Sequence, residues 1–359
     1  MPFWGNHCLI DFQVASLPPS AQIAVVLEDY ARDAALALSS RWRRPSIQVR
    51  NLDDGLADMA ALVSGAESEL VIIASLSSVS VLEPGALADT AAAAGDQIVK
   101  VSIGRTPIEL YCGRREHFTS VLESAAARDS GSASLRERLF TAALHPAIDL
   151  IEDLPGEILF QNDLMEYYRN NIWVVANSES ERLHRTLMRL PELSDRGDES
   201  HVAERGSIRN SWLASGVEVE GSVDGSILFP GVVVRRGAVV HNSVVTSGNR
   251  IGPQAELQST LVLPFTAEQP RNASNIGEGC VIGSRTSSAR NGDFPEHIRD
   301  GLTVLGMNAS IPNGFRAEAG SFVAPGVNPG TLKRLKVLKR GASVLVGDGA
   351  ASDGRGDDR

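Results

Sequence analysis

From residue 207 onward the helical rhythm of apolar positions stops, and a rhythm of about six residues takes over. One phrase keeps returning: Asn210-Ser211-Trp212-Leu213, Gly225-Ser226-Ile227-Leu228, Asn242-Ser243-Val244-Val245 and Ser259-Thr260-Leu261-Val262. Its hydroxyl positions are 15, 17 and 17 residues apart. Between them aliphatics recur at Val217 and Val223, Val234 and Val240, and Ile251 and Leu257. This spacing predicts three short strands per triangular coil, with one aliphatic of each hexapeptide stacked inside the prism on its equivalent in the next coil. Gly216, Gly221, Gly231, Gly237 and Gly252 fall at the expected corners, where a side chain crowds the backbone or φ must be positive. Coils of this type wind left-handed, an exception to the usual right-handed crossover. The pattern resumes over 275–283 and closes through 301–306 and 325–327, with an irregular insertion at 266–274 and a polar loop at 284–299. A valine-rich β-sandwich is the competing architecture, but sandwich strands do not repeat a phrase at coil spacing. The expectation is a left-handed parallel β-helix over residues 207–346.

The first half is patterned differently. Residues 21–27 and 70–74 are buried-strand runs, and 98–103 and 108–112 also read as strands. Helical periodicity covers 28–42, 84–94, 114–127 (with Phe118, Val121 and Leu122 along one face) and 163–172. Strands alternating with helices predict an α/β domain over residues 1–176 with a mostly parallel sheet. Residues 177–206 are polar and charged and read as a linker, and the Gly/Asp-rich tail 347–359 as disordered.

Composition narrows the function classes. No apolar run approaches the ~18–20 residues of a membrane span. The first residues lack the charged and apolar regions of a signal peptide, so the cytoplasm is the expected compartment and no membrane partner is expected. Cys8, Cys112 and Cys280 are far apart, which favours neither a zinc site nor a disulfide framework, and no metal site is expected. A net charge of −10 argues against a nucleic-acid partner. Two basic clusters remain: Arg41, Arg43 and Arg44, best placed at a helix C-terminus, and Lys333, Arg334, Lys336, Lys339 and Arg340, a weak candidate for binding a phosphate-bearing effector.

An α/β domain followed by such coils is the plan of sugar-nucleotide pyrophosphorylases. The segment Pro2-Phe3-Trp4-Gly5-Asn6-His7-Cys8-Leu9-Ile10-Asp11-Phe12 resembles the PFGGKYRLIDF segment of bacterial glucose-1-phosphate adenylyltransferases (ADP-glucose pyrophosphorylases). Glu166-Tyr167-Tyr168-Arg169-Asn170-Asn171 resembles the helix that precedes that family's β-helix, and residues 201–230 resemble its entry into the coils. The resemblance covers most of the chain, with a compressed middle over about 43–156. It implies a nucleotidyltransferase-like (Rossmann-like) first domain and, for Asp11, a structural place at the edge of the sheet.

The departures from the family pattern shape the expected function. Active members begin with a strand and a Gly-rich loop that cradles nucleotide phosphates. Here the chain starts inside the pattern, so the domain reads as N-terminally truncated. The family's aspartate for Mg²⁺ stands at the end of a central strand, where this chain has Ser75-Leu76-Ser77-Ser78 and no carboxylate before Glu83. The family's sugar-phosphate lysine finds no counterpart, since Lys100 and Arg105 stand in the wrong context. Asn6 and Cys8 replace the family's basic effector contacts.

The resemblance therefore implies a degenerate pocket near Ser75, Ser77 and Ser78, no catalytic residue and no cofactor for this chain, although the family uses Mg²⁺. It is closest to the non-catalytic, GlgD-type subunit: a regulatory or structural protein of glycogen or α-glucan synthesis. Such a protein would assemble with a catalytic ADP-glucose pyrophosphorylase paralogue as a homo- or hetero-oligomer, with a tetramer expected. Two alternatives stand beside it: an active ADP-glucose pyrophosphorylase whose start lies upstream, and a hexapeptide acyltransferase using His241 as general base. A solvent-facing corner is the plainer reading of His241.

Overall fold

The computed structural model describes residues 21–27, 47–51, 55–75, 78–83, 85–129, 131–160, 163–188, 198–268, 270, 272–284 and 288–347. The segment 2–12 with Cys8 and Asp11, the helix expected at 28–42, the Arg41–Arg44 cluster, Ser77 and the tail beyond 347 lie outside them. Two compact units emerge among the described residues, one from 21–160 and 179–188, the other from 163–178 and 198–347.

In the first unit β1 (Ile23–Leu27) pairs in parallel with β2 (Ile47–Asn51). Helix α1 (Leu56–Ser64) leads to β3 (Leu70–Ala74) and β4 (Ser78–Leu82), and α2 (Ala86–Ala93) follows. Next come β5 (Val99–Ile103), β6 (Thr106–Arg114), α3 (Arg115–Ala126), a π-helix (Glu137–Leu144), β7 (Leu150–Leu154) and β8 (Gly156–Phe160). The main sheet runs β3-β6-β5-β7, and β4 pairs with β8.

Strand alternation splits the core between two faces. Ile73 and Tyr111 pack with α1, α3 and the π-helix, while Leu110, Cys112, Val99 and Val101 pack with Leu87 and Ala91 of α2. A last short helix, α5 (Glu181–Leu187), packs on β4, where Arg182 and Arg185 reach Glu83 at 3.6 and 2.8 Å.

The mostly parallel sheet expected from the helix–strand alternation is not what forms. In the main sheet only β5–β7 is parallel, β3–β6 and β5–β6 being antiparallel, and the separate β4–β8 pair is antiparallel too. The cause is local. Gly104 and Arg105 both take positive φ, 56° and 67°, and turn β5 directly back into β6 as a two-residue hairpin of the primed type. Asp153 secures the turn, its Oδ1 accepting from Ser102 Oγ and from the Arg105 N–H, each at 2.7 Å.

The second unit is a hexapeptide-repeat parallel β-helix. Its first coil is β9 (His201–Val202), β10 (Ser207–Arg209) and β11 (Trp212–Leu213). The second is β12 (Glu218–Val219), β13 (Ser222–Asp224) and β14 (Ile227–Leu228). The third is β15 (Val233–Val234), β16 (Val239–His241) and β17 (Val244–Val245). The fourth is β18 (Arg250–Ile251), β19 (Glu256–Gln258) and β20 (Thr260–Val262). Beyond it, β21 (Val281–Gly283), β23 (Arg316–Ala317) and β25 (Val337–Leu338) extend one sheet to seven strands. Likewise β22 (Thr303–Leu305), β24 (Phe322–Val323) and β26 (Ser343–Val344) extend a second. The third sheet continues as single bridges, Ile251 to Ile276 to Ile311. The coils thus begin at His201, inside the stretch expected to be linker.

Inside the prism Val219, Val223, Leu228, Val234, Val240, Val245, Ile251, Leu257 and Val262 stack with at most 1% exposure. Each contributes about 1.5–3 kcal/mol by leaving water. The repeating phrase has a structural meaning at every position. Its first residue turns the corner in the left-handed region: Asn210, Gly225, Asn242 and Ser259 have φ of 46°, 59°, 46° and 48°.

The second residue of the phrase builds a hydroxyl ladder. The Ser226 N–H donates to Ser211 Oγ (3.1 Å), the Ser243 N–H to Ser226 Oγ (3.0 Å) and the Thr260 N–H to Ser243 Oγ (3.2 Å). Each hydroxyl in turn donates to a carbonyl two residues back, as Ser243 Oγ does to His241 O at 2.8 Å. Ser243→Ala would leave the buried Thr260 N–H without its acceptor. The expected cost is about 1–2 kcal/mol, read as a lower urea midpoint at unchanged slope.

The third residue of the phrase points outward, yet Ile227, Val244, Leu261 and Val304 are fully buried. Helix α4 (Leu164–Ala176) covers this column, packing on β14 and β17, and Phe294 of the polar loop meets Phe322 edge-on at 5.4 Å. Although 1–176 is the expected first domain, this helix sides with the coils. Asp163 caps it, accepting from the Glu166 N–H at 2.7 Å, and Tyr168 Oη donates to Asn242 O at 2.6 Å. Burial alone would push the Asp163 carboxyl up. The Glu166 and Met165 N–H groups and Arg299 outweigh it and hold the group below the usual carboxylate range.

Candidate functional site

The strand end expected to hold a degenerate pocket is β3. Ser75 follows it directly and is half-buried, its N–H bonded to Glu109 O of β6 at 2.9 Å. Ser78 opens β4, and Ser77 lies outside the described residues. The neighbouring strand does bring a carboxylate here: Glu109 follows directly on the Ala74–Leu110 pair of the ladder. Both of its oxygens accept from Arg136, at 2.8 and 2.9 Å, so its charge and lone pairs are engaged by a guanidinium rather than presented to a metal. Lys100 stands over the Tyr111 ring, 5.7 Å from its centroid, and Arg105 occupies the hairpin turn.

The basic cluster divides in two. Lys333 and Arg334 lie in the last turn of α6 (Pro329–Leu335), and Lys336 follows with φ 61°. Among the described residues no ion pair reaches these three, and all are exposed. The other two flank Glu318 of the adjoining coil, with Lys339 Nζ 3.8 Å from Oε1 and the Arg340 N–H donating to Oε2 at 2.9 Å.

On the outer face of the β10–β13–β16 sheet, register aligns Arg209, Asp224 and His241 in one row. They border a shallow cavity of about 360 Å³ that Ser207 and Ser222 also line. Arg209 grips Asp224 with two bonds, Nε to Oδ1 at 3.1 Å and Nη2 to Oδ2 at 2.6 Å. This guanidinium, with His241 beside it, holds the Asp224 carboxyl below its ordinary range. His241 Nδ1 lies 3.3 Å from Asp224 Oδ2 but without hydrogen-bond alignment. Asp224 is therefore engaged mainly by Arg209, and the row reads as a charge ladder between coils more than as an imidazole–carboxylate base.

Burial pushes the Cys112 thiol up to about 12 and also raises Cys280, so neither is a ready thiolate. Asp96, Glu116 and His117 bring one ligand atom each within 4.8 Å of one another at the start of α3. Both carboxylates are exposed, and Arg114 stands 4.0 Å from Asp96, which describes a solvated cluster.

Comparison with known proteins agrees with this architecture. The family described as "GlmU-like, C-terminal hexapeptide" matches residues 198–290, which begin just before the first coil. A glucose-1-phosphate adenylyltransferase of Acetivibrio thermocellus is 28% identical over 148 residues, 41% of this chain and 32% of that protein. That of Fervidobacterium nodosum is 27% identical over 154 residues, 41% and 34% of the two chains. That of Desulfitobacterium hafniense is 24% identical over 159 residues, 44% and 36%. The chain spans about a third of the length of these curated relatives. It is thus a distant relative of glucose-1-phosphate adenylyltransferases, joining a mixed α/β region to hexapeptide coils.

Proposed function

We propose that this protein is a non-catalytic subunit in α-glucan synthesis, which assembles in the cytoplasm with a catalytic glucose-1-phosphate adenylyltransferase, as a tetramer. The observation that carries this reading is the β3 strand end. Where a nucleotidyl-transfer site of this kind needs a free carboxylate for Mg²⁺, the chain offers Ser75, and the adjacent Glu109 is bound on both oxygens by Arg136. The continuous, well-packed prism supports a role in assembly, since its stacked coils form the largest core among the described residues. In this reading the exposed Lys333, Arg334 and Lys336 at the last coil are where a phosphate-bearing effector of the assembly would dock.

The test is a pyrophosphate-release assay of the purified chain with ATP, Mg²⁺ and glucose 1-phosphate. The expected result is no turnover above the protein-free background, together with a catalytic adenylyltransferase recovered when the tagged chain is purified from its own cell. Robust ADP-glucose formation by the chain alone would overturn the reading.

A further inference from the structure

Strand β7 closes the main sheet of the first unit, and its outer side is open. The order β3-β6-β5-β7 puts it last, bonded to β5 alone, and among the described residues no strand pairs with its other edge. Helices α2 and α3 pack over β3 and β6, the far half of the sheet. Leu150, Ile151, Glu152 and Asp153 are consequently all exposed, the two aliphatics at 43% and 59% on opposite faces of the strand. Register identifies the free backbone groups. The Gly104 N–H donates to Leu154 O, so Leu150, Glu152 and Leu154 turn their N–H and C=O groups to β5, and alternation turns those of Ile151 and Asp153 outward. Such an edge is a template for another strand unless a proline or a bulge blunts it, and β7 contains neither.

Charge selects the partner. Asp149, Glu152 and Asp153 place three carboxylates on this edge. Arg105 lies beside Asp153, but no ion pair reaches Asp149 or Glu152 among the described residues. The nearby Lys100 is turned away, its Nζ over the Tyr111 ring of β6 on the other side of β5. Each face of β7 therefore mixes one aliphatic with carboxylate: Leu150 with Glu152, and Ile151 with Asp149 and Asp153. Antiparallel pairing of two copies through β7 would set carboxylate against carboxylate across the new ladder, which is destabilising. A strand bearing lysine or arginine beside its aliphatics meets the same edge with opposite charge.

We propose that β7 is a docking edge for an extended, basic segment of another protein, which adds a fifth strand to the sheet. Its main chain pairs with the outward groups of Ile151 and Asp153, its aliphatics cover Leu150 and Ile151, and its cations answer Asp149 and Glu152. This inference does not rest on the subunit role proposed above.

The experiment is fluorescence anisotropy on the full chain with a labelled peptide of two Val-Val-Lys-Lys repeats, a pattern that puts one aliphatic and one cation on each face in turn. The expected result is saturable binding, weakened roughly tenfold or more in Ile151→Pro, which removes an outward N–H and no bond to β5, so that circular dichroism and melting stay unchanged. Glu152→Gln should weaken binding by a smaller factor. On the unaltered chain, a fully N-methylated peptide with the same side chains, or one with glutamate in place of lysine, should not bind. Absence of saturable binding would overturn the proposal. So would equal binding of the N-methylated peptide, which would show charge attraction without strand pairing, or a dimer in sedimentation that Ile151→Pro dissolves, which would give the edge to a second copy.

Discussion

Gly283→Ala should destabilise the second unit by at least about 4 kcal/mol, the upper range for single substitutions. Gly283 ends β21 with φ 80°, where an L side chain costs about 1–2 kcal/mol by itself. The larger part comes from space. A Cβ here would stand 1.9 Å from Gln258 O and 3.0 Å from Thr260 Oγ1, both on the preceding coil. Relieving that overlap means prising β21 from β19 and losing ladder bonds on a strand that has coils on both sides. Gly279→Ala is the internal control: its φ is 63° but nothing lies within 4 Å, so only the backbone term remains, about 1 kcal/mol. Urea unfolding of both variants followed by far-ultraviolet dichroism tests the contrast. Equal midpoints would show that coil spacing at this corner is soft.

Asn275→Leu should cost about 3–5 kcal/mol although the branching of the side chain at Cγ is kept. Asn275 is 5% exposed and joins three coils: Nδ2 donates to Asn249 Oδ1 (2.9 Å) and Ala309 O (3.2 Å), and Oδ1 accepts from the Arg250 N–H (2.7 Å). Leucine leaves that N–H and both acceptors dry and unmatched, a heavier penalty than the loss of the bonds themselves. Asn249→Leu removes part of the same network, so the double variant should cost clearly less than the sum of the two singles. Full additivity in a denaturation cycle would show the two asparagines to be energetically separate.

The sequence shows the coils plainly because their constraint is local and repeated: a corner residue, a hydroxyl and two aliphatics recur at Asn242-Ser243-Val244-Val245 as at its counterparts. The outward destination of Val244 was not legible. A strand of two or three residues is too short to show which apolar side faces in, and the cover comes from α4, far away in sequence. The resemblance over 201–230 reached back to His201 but the repeat pattern did not, because a first coil has one neighbour only, and Val202 and Ile208 stand 39% and 37% exposed amid charged residues.

In the first unit the hairpin at Gly104-Arg105 escaped notice because an arginine in the left-handed region is uncommon. The π-helix has no periodic signature of its own. The pairing at the β3 strand end was missed for a related reason: Arg136 and Glu109 are 27 residues apart. In the basic cluster, charge was readable but pairing was not, since Lys339 finds Glu318 through coil register.

The chain leaves the prism twice after β20, through the stretch before Ile276 and through the polar loop before β22, and both times it returns in register. Asn291 fastens the second excursion from within, its side chain bonding Gly320 O, the Asp293 and Phe294 N–H groups and Ser343 Oγ. Corners of such a prism act as ports for inserted sequence: length added there changes the reach of a loop without altering the pitch of the stack. New recognition loops can therefore be grafted onto this scaffold one corner at a time, and a short peptide epitope spliced after Phe265 should be displayed on an otherwise unaltered column of coils.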